Sequence, residues 1–292
     1  MQYAKLYQIG KEQLQKAGIT DAELDARLLL EFICHTDRNA LYAHGDQEIE
    51  DEKMHDFLQL IEKRAAHIPL QHLTGEQNFM GLDFLVNEHV LIPRQDTEIL
   101  VEEVLKELHD GMRVLDMCTG SGCILLSLLH YSNDCEGLGV DLSAEALEVA
   151  GRNVLKVLTP EKAEHAHFLQ SDLFEKVEGK FEIIVSNPPY IASAEVEKLM
   201  PEVRDHEPRM ALDGTEDGLH FYRRIIEEAG KHLVSSGMLY FEIGYDQGQA
   251  VSELMRTEGY CEVQVVQDYA GLDRVVFGTY VTVQPAPFAK SR

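Results

Sequence analysis

Cysteine is sparse and unpatterned. The five residues, Cys34, Cys118, Cys123, Cys135 and Cys261, are odd in number and form no C-x-x-C pair. That spacing excludes a disulfide framework and a cysteine zinc site, and a reducing compartment is expected. Basic charge is scarce as well: 26 Lys and Arg stand against 51 Asp and Glu, a net charge of −25. A chain this acidic opposes sequence-independent attraction to a nucleic-acid backbone, so no direct nucleic-acid partner is expected and a basic or neutral one is. Long apolar runs are missing too. The opening stretch "MQYAKLYQIGKEQLQKAGI" interleaves charged and apolar residues, unlike a signal peptide or a membrane span. The expectation is a cytoplasmic protein, away from membranes and monomeric. Thirteen histidines are present, but His67, His72, His89, His165, His167, His206, His220 and His232 show no ligand spacing such as H-E-x-x-H, and no metal is expected.

What is present suffices for a buried core, since 45% of residues are hydrophobic. From Tyr3 to about Ala66 apolar residues recur at helical spacing, as in "AELDARLLLEFICH" and "MHDFLQLIEKRAAH", which predicts a small helical bundle. Asp21 is the expected cap of the helix beginning "AELDARLLL", and "HGDQEIED" a polar connection. Around Gly81 and Asp83 the alternation from Phe79 to Val86 predicts a hairpin, followed by an amphipathic helix over "DTEILVEEVLKEL". Beyond Gly111 the β-type runs "RVLDM", "EGLGV", "HFLQ", "FEIIVS", "GMLYFEIG" and "RVVFGTY" alternate with helical ones. Such alternation predicts a mainly parallel sheet with helices on both faces. The expected division is a helical domain over 1–75, a hairpin linker over 76–95 and an α/β domain over 96–285, with a loose tail "QPAPFAKSR".

The first α/β strand runs into "VLDMCTGSGCILLSLL", where Gly120 and Gly122 stand at the strand-to-helix turn and let the backbone approach a ligand. No Gly-Lys-Ser/Thr follows and the pattern is not a full G-x-G-x-x-G, which disfavours a triphosphate or a dinucleotide. Asp141 ends the next strand about 20 residues on, where a carboxylate accepts from ribose hydroxyls. A glycine turn with this acid, and without phosphate-binding basic residues, suits a nucleoside lacking a pyrophosphate, and S-adenosylmethionine is the natural candidate. Two glycines in a tight turn and a surface aspartate are the structural alternative. It weakens once "QSDLF" and "SNPPY" end the third and fourth strands on the same side of the sheet.

The stretch "SNPPYI" after "FEIIV" is more than a proline turn. An amide nitrogen is a poor nucleophile because its lone pair is delocalised, and holding its two hydrogens orients that lone pair. Asn187 offers a side-chain carbonyl and Pro188 a backbone carbonyl, while Pro188 and Pro189 stiffen the loop. Tyr190 is suited to cover the planar group by stacking. After in-line methyl transfer the nitrogen cation is strongly acidic, so no dedicated base is needed.

These residues carry a resemblance. "SNPPYI" behind a βαβαβ segment resembles the motif of methyltransferases acting on exocyclic amines or amides. The blocks "PLQHLTGEQNFMGLDFLVNEHVLIPRQDTEILVE", "EPRMALDGTEDGLHFYRRI", "LYFEIGYDQG" and "DYAGLDRVVFG" are similar to the peptide chain release factor glutamine N5-methyltransferases, from Pro69 to Gly278. The resemblance implies a seven-stranded, Rossmann-like class I methyltransferase domain behind a helical recognition domain. It implies methylation of the glutamine of the Gly-Gly-Gln motif in class 1 peptide chain release factors, with S-adenosyl-L-methionine as donor and S-adenosyl-L-homocysteine as product, and thus an effect on translation termination. Asn187, Pro188 and Tyr190 would be catalytic, with Pro189 beside them in substrate binding. Cys118, Thr119, Gly120, Ser121, Gly122, Asp141, Asp172, Leu173 and Asn187 would bind the cofactor.

Two departures stand out. Cys118 replaces a usual glycine, so either the backbone there avoids positive φ or it tolerates a small side chain. Leu173 replaces a frequent aromatic. Arg94 in "LIPRQDTE" and Glu242 in "FEIG" are further candidates for the site, whereas Arg223 and Arg224 read as solvated or salt-bridged. Two other functions use the same features. A DNA adenine N6-methyltransferase also presents a planar NH2, but neither a basic stretch nor a flipping apparatus is visible. A degenerate binding module would not need Gly120, Gly122, Asp141 and Asn187 intact.

Overall fold

The computed structural model describes residues 1–281; the tail and the last residues of the expected α/β domain lie outside the described residues. The chain forms two compact units, one of residues 1–76, 86–88 and 199–207, the other of 77–85, 89–198 and 208 onward.

The first unit is built on helices α1 (Tyr3–Lys16), α2 (Ala22–Cys34), α3 (Arg38–Ala43), α4 (Asp51–Ala65) and α5 (Leu70–Thr74). Leu6 and Leu14 of α1, Leu29 and Leu30 of α2, and Phe57 and Ile61 of α4 are fully buried, as their helical spacing requires. A Cβ on Gly10 would lie 2.7 Å from the Phe57 ring, so glycine is what lets α1 close on α4. Asp21 stands at the N-cap of α2, but its side chain makes no capping bond. Its φ of −98° and ψ of 35° are not the extended geometry from which a cap reaches back. Asp37 does cap, accepting from Ala40 N at 2.8 Å.

Arg64 of α4 ties this unit together: its Nε donates to Asp25 Oδ2 at 2.7 Å and its Nη2 to Glu202 Oε1 at 3.2 Å. His67 Nδ1 lies 3.1 Å from the same Glu202 oxygen. The segment 199–207, which follows the Asn-Pro-Pro-Tyr loop in sequence, is therefore anchored to the helices by charge.

In the second unit β1 (Glu76–Phe79) and β2 (Leu82–Leu85) form the expected hairpin, turned by Met80 and Gly81 with φ of 52° and 72°. Helix α6 (Gln95–Glu107) precedes β3 (Arg113–Met117), α7 (Cys123–Tyr131), β4 (Glu136–Asp141), α8 (Ala144–Val157), β5 (Ala166–Gln170) and β6 (Phe181–Ser186). Then come β7 (Leu233–Glu242), β8 (Tyr260–Gln267) and β9 (Asp273–Tyr280). The sheet runs β5-β4-β3-β6-β7-β9-β8, with β9 antiparallel to both of its neighbours and the other pairs parallel.

Val114, Leu115 and Met117 of the central β3 are fully buried, in keeping with a strand covered on both faces. The chain steps outward from β3 to β4 and β5, then returns to the other side of β3 as β6. That reversal opens a crevice beyond the carboxyl ends of β3, β4 and β6, where open sheets bind ligands. β8 is the strand the periodicity reading omits. As the outermost strand it exposes most of "YCEVQVVQ" and gives no clean apolar alternation.

Candidate active site

The turn after β3 is wound through the left-handed region three times, at Cys118 (φ 64°), Gly120 (φ 55°) and Gly122 (φ 79°). Cys118 thus keeps the glycine conformation and carries its side chain there, at a cost of about 1–2 kcal/mol for an L-residue. Burial, then the Asp141 and Asp116 carboxylates, push its thiol far above the usual range. It remains protonated and is no nucleophile.

The loop is braced by two carboxylates. Asp141, at the end of β4, accepts from Gly120 N at 2.8 Å and from Ser143 N at 2.9 Å. Burial raises its pKa, and those backbone donors pull it back down. Asp116 accepts from the Thr119 hydroxyl at 2.6 Å. It is fully buried, which pushes its pKa up to about 7, and among the described residues its Oδ1 has no hydrogen-bond partner.

The Asn-Pro-Pro-Tyr loop begins where β6 ends. Ser186 Oγ donates to Met117 O at 2.6 Å, pinning the ends of β6 and β3 side by side. The Asn187 amide donates through Nδ2 to Thr97 Oγ1 of α6 at 3.4 Å, which turns its carbonyl oxygen away from Thr97. The Tyr190 hydroxyl donates to Glu242 Oε1 at the end of β7, 3.2 Å away, and burial, followed by the neighbouring Glu242 charge, raises its pKa. Downstream, Ile191 N bonds Leu212 O and Gly214 N bonds Ile191 O, at 3.0 and 2.8 Å. A Cβ on Gly214 would lie 2.8 Å from Tyr190 backbone atoms, so glycine admits the loop.

One cavity lies at this end of the sheet, and Cys118, Thr119, Gly120, Ser121, Asp141, Asp172, Leu173, Asn187 and Pro189 all line it. Three expected site residues lie off its wall. Gly122 caps α7, where an added Cβ would meet Leu126 and Ala150 at 3.2 and 3.3 Å; Pro188 is buried; Tyr190 turns its hydroxyl to Glu242. Asp172 pairs with Arg224 at 2.9 Å and Arg223 with Asp217, so both arginines are salt-bridged as expected. Arg94 lines the cavity and donates to Ile92 O at 2.9 Å.

Thr97, Met210 and Phe221 also line the cavity without having been singled out. Each falls inside a block quoted for the resemblance, so the signal lay in the block and not in any single residue. No cluster of His, Cys, Asp and Glu among the described residues is arranged to hold a metal, and no described helix is long and apolar enough to cross a membrane.

The sheet order, the glycine turn with its acidic brace and the amide-bearing loop at the crevice together define a Rossmann-like class I methyltransferase. In fold the chain is similar to a methyltransferase from Pyrococcus furiosus, with a TM-score of 0.50 at 19% identity, covering 70% of this chain and 91% of that one. Residues 5–75 match the family model described as PrmC N-terminal domain, and 94–203 the one described as methyltransferase small domain. The release factor glutamine methyltransferase of Clostridium acetobutylicum is 42% identical over 86% of this chain and 89% of its own length. That of Moorella thermoacetica is 44% identical over 90% and 93%. The chain belongs to the release factor glutamine methyltransferase family, and it is a methyltransferase.

Proposed function

We propose that the protein transfers a methyl group from S-adenosylmethionine to the side-chain amide nitrogen of the glutamine in the Gly-Gly-Gln motif of a class 1 release factor, and so modulates translation termination. The observation that carries this reading is the orientation of Asn187: its NH2 is engaged by Thr97, which leaves its oxygen as an acceptor at the cavity wall. An acceptor there suits a planar NH2 group, one of whose hydrogens it holds and whose lone pair it thereby aims.

The cavity fits the donor by its chemistry. Its lining carries the carboxylates of Asp141, Asp172 and Asp213, while among the described residues Arg94 is its one Arg or Lys, so it favours a cation over a phosphate chain. When bound, the sulfonium supplies an electrophilic methyl. The loop amides and Asp141 would hold the nucleoside, and Leu173, buried at the wall with φ of 47°, offers an apolar surface for the base. Pro188 and Pro189 are buried and stiffen the loop, and the proton lost from the strongly acidic methylated nitrogen passes to solvent without a dedicated base.

In this reading residues 1–75 help recognise the factor, 76–95 link and 96–285 catalyse, in a cytoplasmic monomer. The test is incubation with labelled donor and, in parallel, purified release factor and duplex DNA. One methyl on the glutamine side-chain nitrogen, found by mass spectrometry, is the expected outcome; label in DNA and none in the factor overturns it. Asn187→Ala should retain cofactor affinity and lose methyl transfer by roughly a hundredfold or more, as for a lost orienting acceptor. Near-normal single turnover would remove Asn187 from the chemistry.

A further inference from the structure

Glu242 is a fully buried carboxylate that the proposed chemistry leaves without a task. A buried carboxylate costs free energy that an apolar residue would not, and among the described residues its Oε2 has no hydrogen-bond partner. Its surroundings account for it. Oε1 accepts from the Tyr190 hydroxyl at 3.2 Å, and the backbone carbonyl of Glu242 accepts from the Tyr222 hydroxyl at 2.9 Å. Tyr222 in turn reaches Gln247 Oε1 at 3.4 Å, and Gln247 Nε2 donates to the backbone carbonyl of Tyr190 at 3.0 Å.

These contacts form a ring, Tyr190–Glu242–Tyr222–Gln247–Tyr190, in which the one Tyr222 hydroxyl hydrogen is directed chiefly to the nearer Glu242 carbonyl and shared with Gln247 Oε1. It grips Tyr190 at both ends, phenol and backbone. Gln247 is itself fixed, because its Oε1 accepts from Gly244 N at 2.9 Å. Gly218 completes the fit, since any Cβ there would collide with the Tyr190 carbonyl oxygen.

Asn187 opens the same loop and lines the cavity, and its Nδ2 donates to Thr97 Oγ1 at 3.4 Å. A misplacement of about 1 Å at its carbonyl oxygen costs on the order of a hundredfold in rate.

We propose that Glu242 and Gln247 are positioning residues that clamp the Asn187–Tyr190 loop from behind and so hold Asn187 in place at the cavity. This inference deepens the function proposed above and rests on it for its kinetic readout alone.

Three variants of the full-length protein test it: Glu242→Gln, which keeps the shape, Gln247→Leu, which removes the bonds at similar volume, and Tyr190→Phe, which removes only the phenol donor. The expected result for Glu242→Gln and Gln247→Leu is a kcat on release factor reduced by about tenfold or more, with KM and S-adenosylmethionine affinity within about twofold. Tyr190→Phe/Glu242→Gln should be no slower than the slower single variant, because Glu242→Gln weakens the same contact, by replacing a carboxylate acceptor with a neutral amide, that Tyr190→Phe removes. Unchanged kcat, losses that multiply, or cofactor affinity falling in step with kcat would overturn the clamp. Hydrogen exchange provides a readout that needs no substrate. Amides of 187–192 should exchange faster in Glu242→Gln and Gln247→Leu while those of β3 and β4 stay unchanged, and equal protection of the loop in all forms overturns the clamp. A wild-type chain that leaves the factor unmethylated counts against the substrate assignment, and exchange then decides the clamp separately.

Discussion

Asp116 shows what burial does to one carboxyl. It is fully buried, holds one bond from Thr119 and among the described residues leaves Oδ1 without a hydrogen-bond partner, so burial raises its pKa from 3.8 to about 7. The sign of the resulting pH dependence follows. Between those two values the folded chain binds more protons at this site than the unfolded chain, so stability falls as pH rises. The contribution is fully present below 3.8 and is lost as pH climbs through about 7. A shift of that size corresponds to a change on the order of 4 kcal/mol. Asp116→Asn should remove it. Urea unfolding of both forms without cofactor, from pH 4 to pH 8, should show the wild type losing stability relative to Asp116→Asn; a difference flat in pH would mean that Asp116 titrates as an ordinary carboxyl.

Between elements, side chains stand in for backbone pairing. Asn153 of α8 accepts from Leu85 N at 2.7 Å and donates to Leu85 O at 3.1 Å, which gives the edge of β2 a partner. The same amide donates to Ser121 O at 2.9 Å, so the hairpin, α8 and the turn after β3 meet at one buried residue. Asn153→Ala leaves those groups unpaired and should cost about 2–3 kcal/mol. Chemical denaturation is the measurement, and a loss below half a kcal/mol, on the scale of an ordinary surface change, would show that water replaces the amide. Contacts of this kind also mark the limit of what the sequence reveals. The β3 turn is readable because Gly120 and Gly122 advertise positive φ, and the hairpin because Gly81 interrupts an alternation. The partners of Thr97, Asn153 and Gln247 lie 90, 68 and 57 residues away, where no local period reaches. Cys118 is a subtler case: its residue type pointed away from the left-handed region, yet the loop's bonding to Val140 and Asp141 holds the backbone there. β8 stayed hidden because an edge strand need not bury either face.

The net charge of −25 belongs to the whole molecule, and it bears on how a partner arrives. A Gly-Gly-Gln tip offers one side chain and two glycines, little surface from which to draw affinity, so a substrate of this kind must be held elsewhere on its body. A factor that works against ribosomal RNA should carry basic patches, and an acidic enzyme attracts them over a Debye length of roughly 10 Å at 0.1 M salt. Deleting the residues before Pro69 is a poor probe of that contact. It would also remove Arg64 and Asp25, leaving Glu202 and the segment 199–207 without their ionic partner. The intact chain provides a cleaner test. A short peptide containing Gly-Gly-Gln should show kcat/KM lower than the whole factor by on the order of a hundredfold, with kcat falling as well as KM rising, because remote contacts help to orient the reacting amide. Raising salt from 0.05 to 0.5 M should slow association of the whole factor about tenfold or more and leave the peptide nearly unaffected. Stopped-flow association and steady-state methylation measure the two effects. If the peptide matches the factor, or if the factor associates at a rate indifferent to salt, recognition lies within the cavity alone and the acidic surface has no part in it.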